Sequence, residues 1–129
     1  MGLALTIVQD IYLAMEQANI GKLFSLLDQK FEIHGPAGMD RKGRGGILDM
    51  VATLHRREKG IKKEIEHFIE HENMIIVLGN ILFGETISLQ EKMAFVDIWK
   101  LQQNRIDELQ LFFQDPLRLV KHLKTNDKK

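Results

Sequence analysis

A carboxylate set among aromatic rings is the feature of this chain best suited to chemistry. Residues 92–101 read KMAFVDIWKL. Alternation at period two puts Met93, Phe95, Asp97, Trp99 and Leu101 on one face of a strand. A carboxyl group between Phe95 and Trp99 requires a partner or a proton, because a lone charge is costly away from water. Such a group can line a ligand cavity. It can equally be a hydrogen-bonded core aspartate, or lie at the edge of a half-wet face. Other reactive patterns are weaker. Ser25 and Ser88 lack the GxSxG elbow of a serine nucleophile, and Asp49 and Glu58 read as helix-surface charges. His67 and His71 have the i,i+4 spacing of a helical metal pair. Their segment reads as strand, however, where they share a face about 13 Å apart. No HExxH is present and no metal is expected. Glu64, Glu66, Glu70 and Glu72 read as a wet charged edge, and His122 as a solvent-exposed residue of the last helix.

The bulk numbers bound the function classes. A chain of 129 residues, 44% hydrophobic, suits a single domain with one core, taken as 1–129 with its core at about 5–120. The 18 basic and 18 acidic residues balance to a formal net charge of zero. That argues against a nucleic-acid binder, and aromatics do not interleave with basic residues as on a single-strand platform. Little net charge permits self-association. Cysteine is absent, which removes disulfides, thiolate nucleophiles and cysteine metal sites. No apolar run reaches the roughly 20 residues of a membrane helix. No secretory leader is visible, so no membrane partner and a cytoplasmic location are the expectation.

The elements that must position Asp97 follow from periodicity. Residues 3–18 read as a helix through Leu3, Ile7, Ile11, Ala14, Met15 and Ala18. Gly21 interrupts, and Leu23, Phe24, Leu26 and Leu27 extend a second or bent helix to about Asp28. Lys30–His34 reads as a short strand with Phe31 and Ile33 on one face and Glu32 and His34 on the other. The segment GPAGMDRKGRGG, residues 35–46, is a loop without the GKS or GKT of a phosphate loop. Its Arg41, Lys42 and Arg44 can attract an anion or stand as solvated charges. A helix is predicted over Ile47–Glu58, with His55, Arg56 and Arg57 near its C-terminal end, where positive charge is favourable. Gly60 is its stop. Long strands are predicted over 61–70, 74–83, 91–101 and 105–113, with turns at Glu72-Asn73 and 102–104. Gly84 to Gln90 reads as a turn or an extra short strand. Pro116 starts a last helix carrying Leu117, Leu119, Val120 and Leu123. Helices followed by strands make an α+β order rather than βαβ units.

In the stretches IYLAMEQANIGKLFSLLD, FEIHGP, GRGGILDMVATL and FVDIWKLQQNRIDELQLFF, the chain resembles the nuclear transport factor 2-like superfamily, in its SnoaL-like and ketosteroid isomerase-like branch. The resemblance implies a cone-shaped domain with N-terminal helices packed on a strongly curved, mostly antiparallel sheet, a cystatin-like roll. It also implies a deep apolar cavity and a homodimer formed through the sheet. His34 falls where the isomerase carries its catalytic base, normally an aspartate. Asp97, two residues before Trp99, matches the aspartate that donates to a developing oxyanion. The family's helix tyrosine falls at Ile11 or Asp10, with Tyr12 close but out of register.

The resemblance therefore implies His34 and Asp97 as catalytic residues, with Tyr12, Phe95 and Trp99 as pocket residues. Imidazole titrates near neutrality and suits proton shuttling. Neutral His34 can abstract a proton while protonated Asp97 steadies an enolate, or ionised Asp97 can orient His34. A purely structural His–Asp bond is the plain alternative. Tyr12 can face the cavity or the outside of its helix. Phe112 and Phe113 have opposite parity, so one of them faces outward. The functions implied are a cofactor-independent isomerase, cyclase or dehydratase acting on an apolar oxygenated small molecule, a non-enzymatic binder using the same cavity, or a dimeric assembly module.

Overall fold

The structure is a computed structural model that describes residues 2–54, 61–84 and 90–127, with side chains as far as residue 123. The predicted features at His55–Gly60 and the middle of the 84–90 segment, Ser88 included, lie outside these residues. In order, the elements are α1 (Leu3–Glu16), α2 (Ile20–Leu26), β1 (Leu27–His34), β2 (Arg41–Lys42), α3 (Gly46–Leu54), β3 (Lys62–His71), β4 (Met74–Phe83), β5 (Glu91–Gln102), β6 (Arg105–Phe113) and α4 (Pro116–Asp127).

The first helix forms because Ile7, Val8, Ile11, Tyr12, Ala14 and Met15 make one buried stripe. Its end is not set by Gly21, which lies inside α2. The break is at Ala18, held at φ 52°, followed by Asn19, whose side chain accepts the Lys22 N–H at 3.2 Å. Asparagine at an N-cap satisfies one of the donors a helix start leaves free. Leu27 and Asp28, expected to end this helix, instead begin β1. Gln103 and Asn104 both have positive φ, the geometry a two-residue hairpin turn needs to match strand twist.

The strands form one six-stranded sheet in the order β2-β1-β6-β5-β4-β3. The expected strongly curved cone, the cystatin-like roll, is not formed. The sheet is open, with β2 and β3 at opposite edges. Closure requires edge strands long enough to pair with each other. Here β2 has two residues and pairs with β1 alone, at Glu32–Lys42 and Ile33–Arg41. β1 runs parallel to β6, while β3 to β6 form an antiparallel series. One sheet face is buried under the helices. On β5 and β4 it carries Met93, Phe95, Asp97, Trp99 and Leu101 beside Ile75, Val77, Gly79, Ile81 and Phe83. The opposite face is partly exposed. Its neighbouring cross-strand rows are Phe112–Val96–Leu78 and Ile98–Ile76–Ile69.

Candidate functional site

Asp97 points into the apolar face and has 0% of its surface exposed. Two side chains from two other elements bond it, and a third braces one of them. Tyr12 of α1 donates its hydroxyl to Asp97 Oδ2 at 2.5 Å. Lys63 of β3 donates its ammonium to the same oxygen at 2.9 Å. Trp99, two residues further along β5, donates its indole N–H to the Tyr12 oxygen at 2.8 Å. Indole N–H is only a donor. The Tyr12 oxygen therefore accepts from Trp99, and its own proton goes to Asp97. The hydroxyl is held in one orientation by its two partners. Burial, then the charge of Asp97 and the bond to it, push the Tyr12 phenol well above its ordinary range near 10.0. Tyr12 is thus a neutral, oriented donor.

The second oxygen of Asp97, Oδ1, is buried and has no hydrogen-bond donor among the described residues. Oδ2 already accepts two bonds, so Oδ1 is where this carboxylate can take up a proton or accept from a ligand. Lys63 is the charge partner, with 1% of its side chain exposed. Its ammonium lies 4.5 Å from the centre of the Phe95 ring, a cation–π position. Phe95 lies against Gly79 of β4, where a Cβ would meet the Phe95 ring at 2.9 Å and the Glu64 backbone oxygen at 2.1 Å. Any larger residue at 79 would force apart β3 and the aromatic wall that receives the ammonium. Tyr12 meets Trp99 and Phe68 edge-on, with ring centres 5.6 Å and 6.0 Å apart.

Lys63 was not singled out by sequence reasoning, although a signal existed. It lies between Ile61 and Ile65 at the inward parity of its strand, as Asp97 lies between Phe95 and Trp99. Tyr12, Phe95 and Trp99, the expected pocket residues, all surround Asp97. Tyr12 faces inward, not to the outside of its helix.

His34 is not among them. It ends β1 on the opposite sheet face, 47% exposed, with Nε2 at 3.3 Å from Glu32 and 3.6 Å from Glu108. The register pairs His34 with Gln110, and Ile33 with Leu109. Leu109 and Leu111 share the buried face with Asp97, so Gln110 and His34 stand on the other side. The sheet itself separates this imidazole from the carboxylate. His67 and His71 are exposed on β3, and no cluster suited to a metal occurs among the described residues. Arg41 is engaged by Asp49 at 3.0 Å and by the Gly38 and Asp40 carbonyls, so it organises its loop rather than offering a free charge to an anion. His122 packs on Phe83, ring centres 5.1 Å apart. Phe112 is the outward aromatic of its pair, 51% exposed.

A hollow lies on the same side of the sheet as Asp97, between the β1–β2 loop, α3 and α4. It measures about 160 Å³ and is walled chiefly by Ile33, Met50, Leu54, Leu111, Val120 and Leu123.

The SnoaL-like domain family matches this chain over residues 8–109. The chain belongs to the SnoaL-like family. Its wider superfamily is the nuclear transport factor 2-like one. A protein of that superfamily and of unknown function from Cytophaga hutchinsonii is similar at 19% identity and TM-score 0.72, covering 91% of this chain and 94% of that one. Another, from Burkholderia pseudomallei, is 18% identical with TM-score 0.75, covering 95% and 98%. TerC, crystallised with polyporic acid, is 17% identical with TM-score 0.75, covering 95% and 99%. These likenesses establish a shared fold. No curated protein sequence matches the chain.

The charge pair of this SnoaL-like domain makes a stability prediction. Lys63→Met leaves Asp97 buried without its cation and is expected to cost about 3–5 kcal/mol. Adding Asp97→Leu should recover most of that loss. Urea unfolding followed by emission of the single tryptophan, Trp99, measures both. A double variant no more stable than Lys63→Met would contradict the pairing.

The phenol makes a second one. The chain has one tyrosine, so phenolate absorbance reports Tyr12 alone. The folded protein holds this proton where the unfolded chain has released it. The resulting stability is whole below about pH 10 and is lost as pH rises beyond it. Phenolate should therefore appear together with unfolding, not ahead of it. A free titration near pH 10 in folded protein would contradict the buried network.

Proposed function

We propose that this SnoaL-like domain is a cofactor-independent enzyme that moves a proton on an apolar oxygenated metabolite, as an isomerase, cyclase or dehydratase, with Asp97 rather than His34 handling the proton. The observation that carries this reading is the asymmetric carboxylate: Oδ2 is held by Tyr12 and Lys63, and Oδ1 is buried without a donor among the described residues. Oδ1 takes a proton from a carbon beside a carbonyl and becomes an O–H. The negative charge passes to the substrate as an enolate. Lys63 stays protonated throughout, so the site remains neutral while the anion moves from protein to substrate. Fixed charges in a water-poor site stabilise such displacement without reorganising at the moment of reaction. The same O–H then returns the proton to another atom of the enolate, or to a leaving hydroxyl. Tyr12 and Trp99 keep the carboxyl group from rotating. TerC, a protein of the same fold, crystallises with polyporic acid, which supports a small organic molecule as the occupant here.

The outer sheet face supports self-association. Phe112, Val96 and Leu78 run beside Ile98, Ile76 and Ile69 across four strands, an apolar patch suited to a second copy of the chain.

Two measurements test these statements. Proton exchange at C1 of 2-tetralone in deuterium oxide, followed by proton NMR, should run above the buffer rate with the wild type. Asp97→Asn should slow it by about 10²–10⁴-fold, while His34→Ala leaves it unchanged. A folded Asp97→Asn protein exchanging at the wild-type rate would remove the mechanism. Binding of 2-tetralone without exchange would favour the non-enzymatic binder. For the sheet face, sedimentation equilibrium should show a dimer that Ile98→Glu with Phe112→Lys converts to monomer.

A further inference from the structure

Lys63 is a buried primary amine, with 1% of its side chain exposed, and the proton transfer described above uses it only as a fixed charge. Its surroundings suit a different state of the nitrogen better. An ammonium carries three N–H donors. Among the described residues Lys63 has one acceptor, Asp97 Oδ2 at 2.9 Å. The Phe95 and Phe113 ring centres lie 4.5 Å and 5.9 Å from the nitrogen. Two aromatic rings attract the charge but leave two buried donors without an oxygen, which costs free energy. A protonated imine has one N–H and a carbon substituent. It keeps the bond to Oδ2, keeps the positive charge, and turns carbon toward the rings.

We propose that Lys63 captures an uncharged aldehyde with an apolar body as a protonated imine, with Asp97 as counterion and proton carrier. The admission of a carbonyl compound to the Asp97 site rests on the functional reading above; the bonding environment of the nitrogen does not.

The reaction is complete within the pair. Lys63 gives one proton to the Asp97 carboxylate. Its freed lone pair bonds the carbonyl carbon, and the carbonyl oxygen takes that proton from Asp97. The nitrogen gives a second proton to Asp97, which passes it to the new hydroxyl. The C–N bond becomes double as the C–O bond breaks, and water leaves. One ammonium and one aldehyde become one iminium and one water. Asp97 ends as the carboxylate it began as, and nothing is oxidised or reduced. Oδ1, buried without a donor among the described residues, gives the carboxylate room to carry the proton while Oδ2 stays bonded.

Charge and surroundings select the ligand class. An ionised carboxylate beside the nitrogen repels acids and phosphates. Phe95 is buried and Phe113 half-buried, so an approach from the Phe113 side crosses aromatic surface and favours an aryl or alkyl body. An aldehyde carbon, bearing one hydrogen, also crowds a buried nitrogen less than a ketone does.

The test uses 4-dimethylaminobenzaldehyde, whose protonated imine absorbs at longer wavelength than the free aldehyde. Wild type should give the red-shifted band at about pH 7 and keep it to about pH 9, because an adjacent carboxylate favours the charged imine. Asp97→Asn should abolish the band. Cyanoborohydride reduction and peptide mass mapping should place the label on Lys63 at least tenfold above Lys100, which is 45% exposed. 4-Carboxybenzaldehyde should label Lys63 at least tenfold less than the uncharged probe. Folded wild type with no more label on Lys63 than on Lys100 overturns the proposal. Equal labelling by the acid overturns the ligand class. A band that survives in folded Asp97→Asn, or that fades across the stated pH range in wild type, overturns the counterion role; the pH series decides should the variant not fold. Labelling of Lys63 without exchange of 2-tetralone would sink the proton-transfer reading and leave this one standing, and exchange without labelling would do the reverse.

Discussion

A carboxylate taken fully out of water must be compensated where it stands, and the inner face of this domain is organised around that requirement. The cost of an isolated buried charge is far larger than the net stability of a domain this size. Asp97 is tolerable because Lys63 supplies the opposite charge at 2.9 Å and Tyr12 a hydrogen bond at 2.5 Å. Each partner brings an element with it. Lys63 ties the edge strand β3 inward, and a charge pointing inward from an edge strand also discourages pairing with other sheets. Tyr12 fixes the rotation of α1 over the sheet. Trp99 fixes the direction of the Tyr12 hydroxyl.

The same arrangement gives the site its chemical character. Both stabilising contacts fall on one carboxylate oxygen, and the other is left available. A fully satisfied carboxylate would be a structural lock. This one is restrained in position and charge while one oxygen keeps its capacity to accept. In the proposed proton transfer the Lys63 ammonium, 2.9 Å from Oδ2, would keep the site neutral as the negative charge moved to a substrate, which matters most where water does not screen.

Much of the fold is legible in residue order. The strand pattern over 61–113 follows directly from period-two alternation, and the hairpin turns fall where polar residues interrupt it. The α+β order follows from helices preceding strands. The open sheet does not follow, because it depends on whether the chain ends of the sheet meet, and a two-residue β2 carries no periodic signal. The parallel pairing of β1 with β6 is equally silent, since it joins segments distant in the chain. The apolar pattern bounds the first helix near residue 18, but glycine's reputation as a breaker misplaces the interruption at Gly21, which lies inside α2; Ala18 in a left-handed conformation, followed by a capping Asn19, makes the break.

Local periodicity by itself determined that Asp97 faces inward between Phe95 and Trp99, because a strand's faces alternate whatever surrounds it. Inward parity at Lys63 was present in the same form, between Ile61 and Ile65. What only the tertiary structure decided is which groups meet. Strand order and register bring the Lys63 ammonium to Asp97, the rotation of α1 turns Tyr12 onto it, and the sheet holds His34 on the far side. A residue's own strand tells which face it occupies; its partners are set by elements many residues away, through packing that no local spacing encodes.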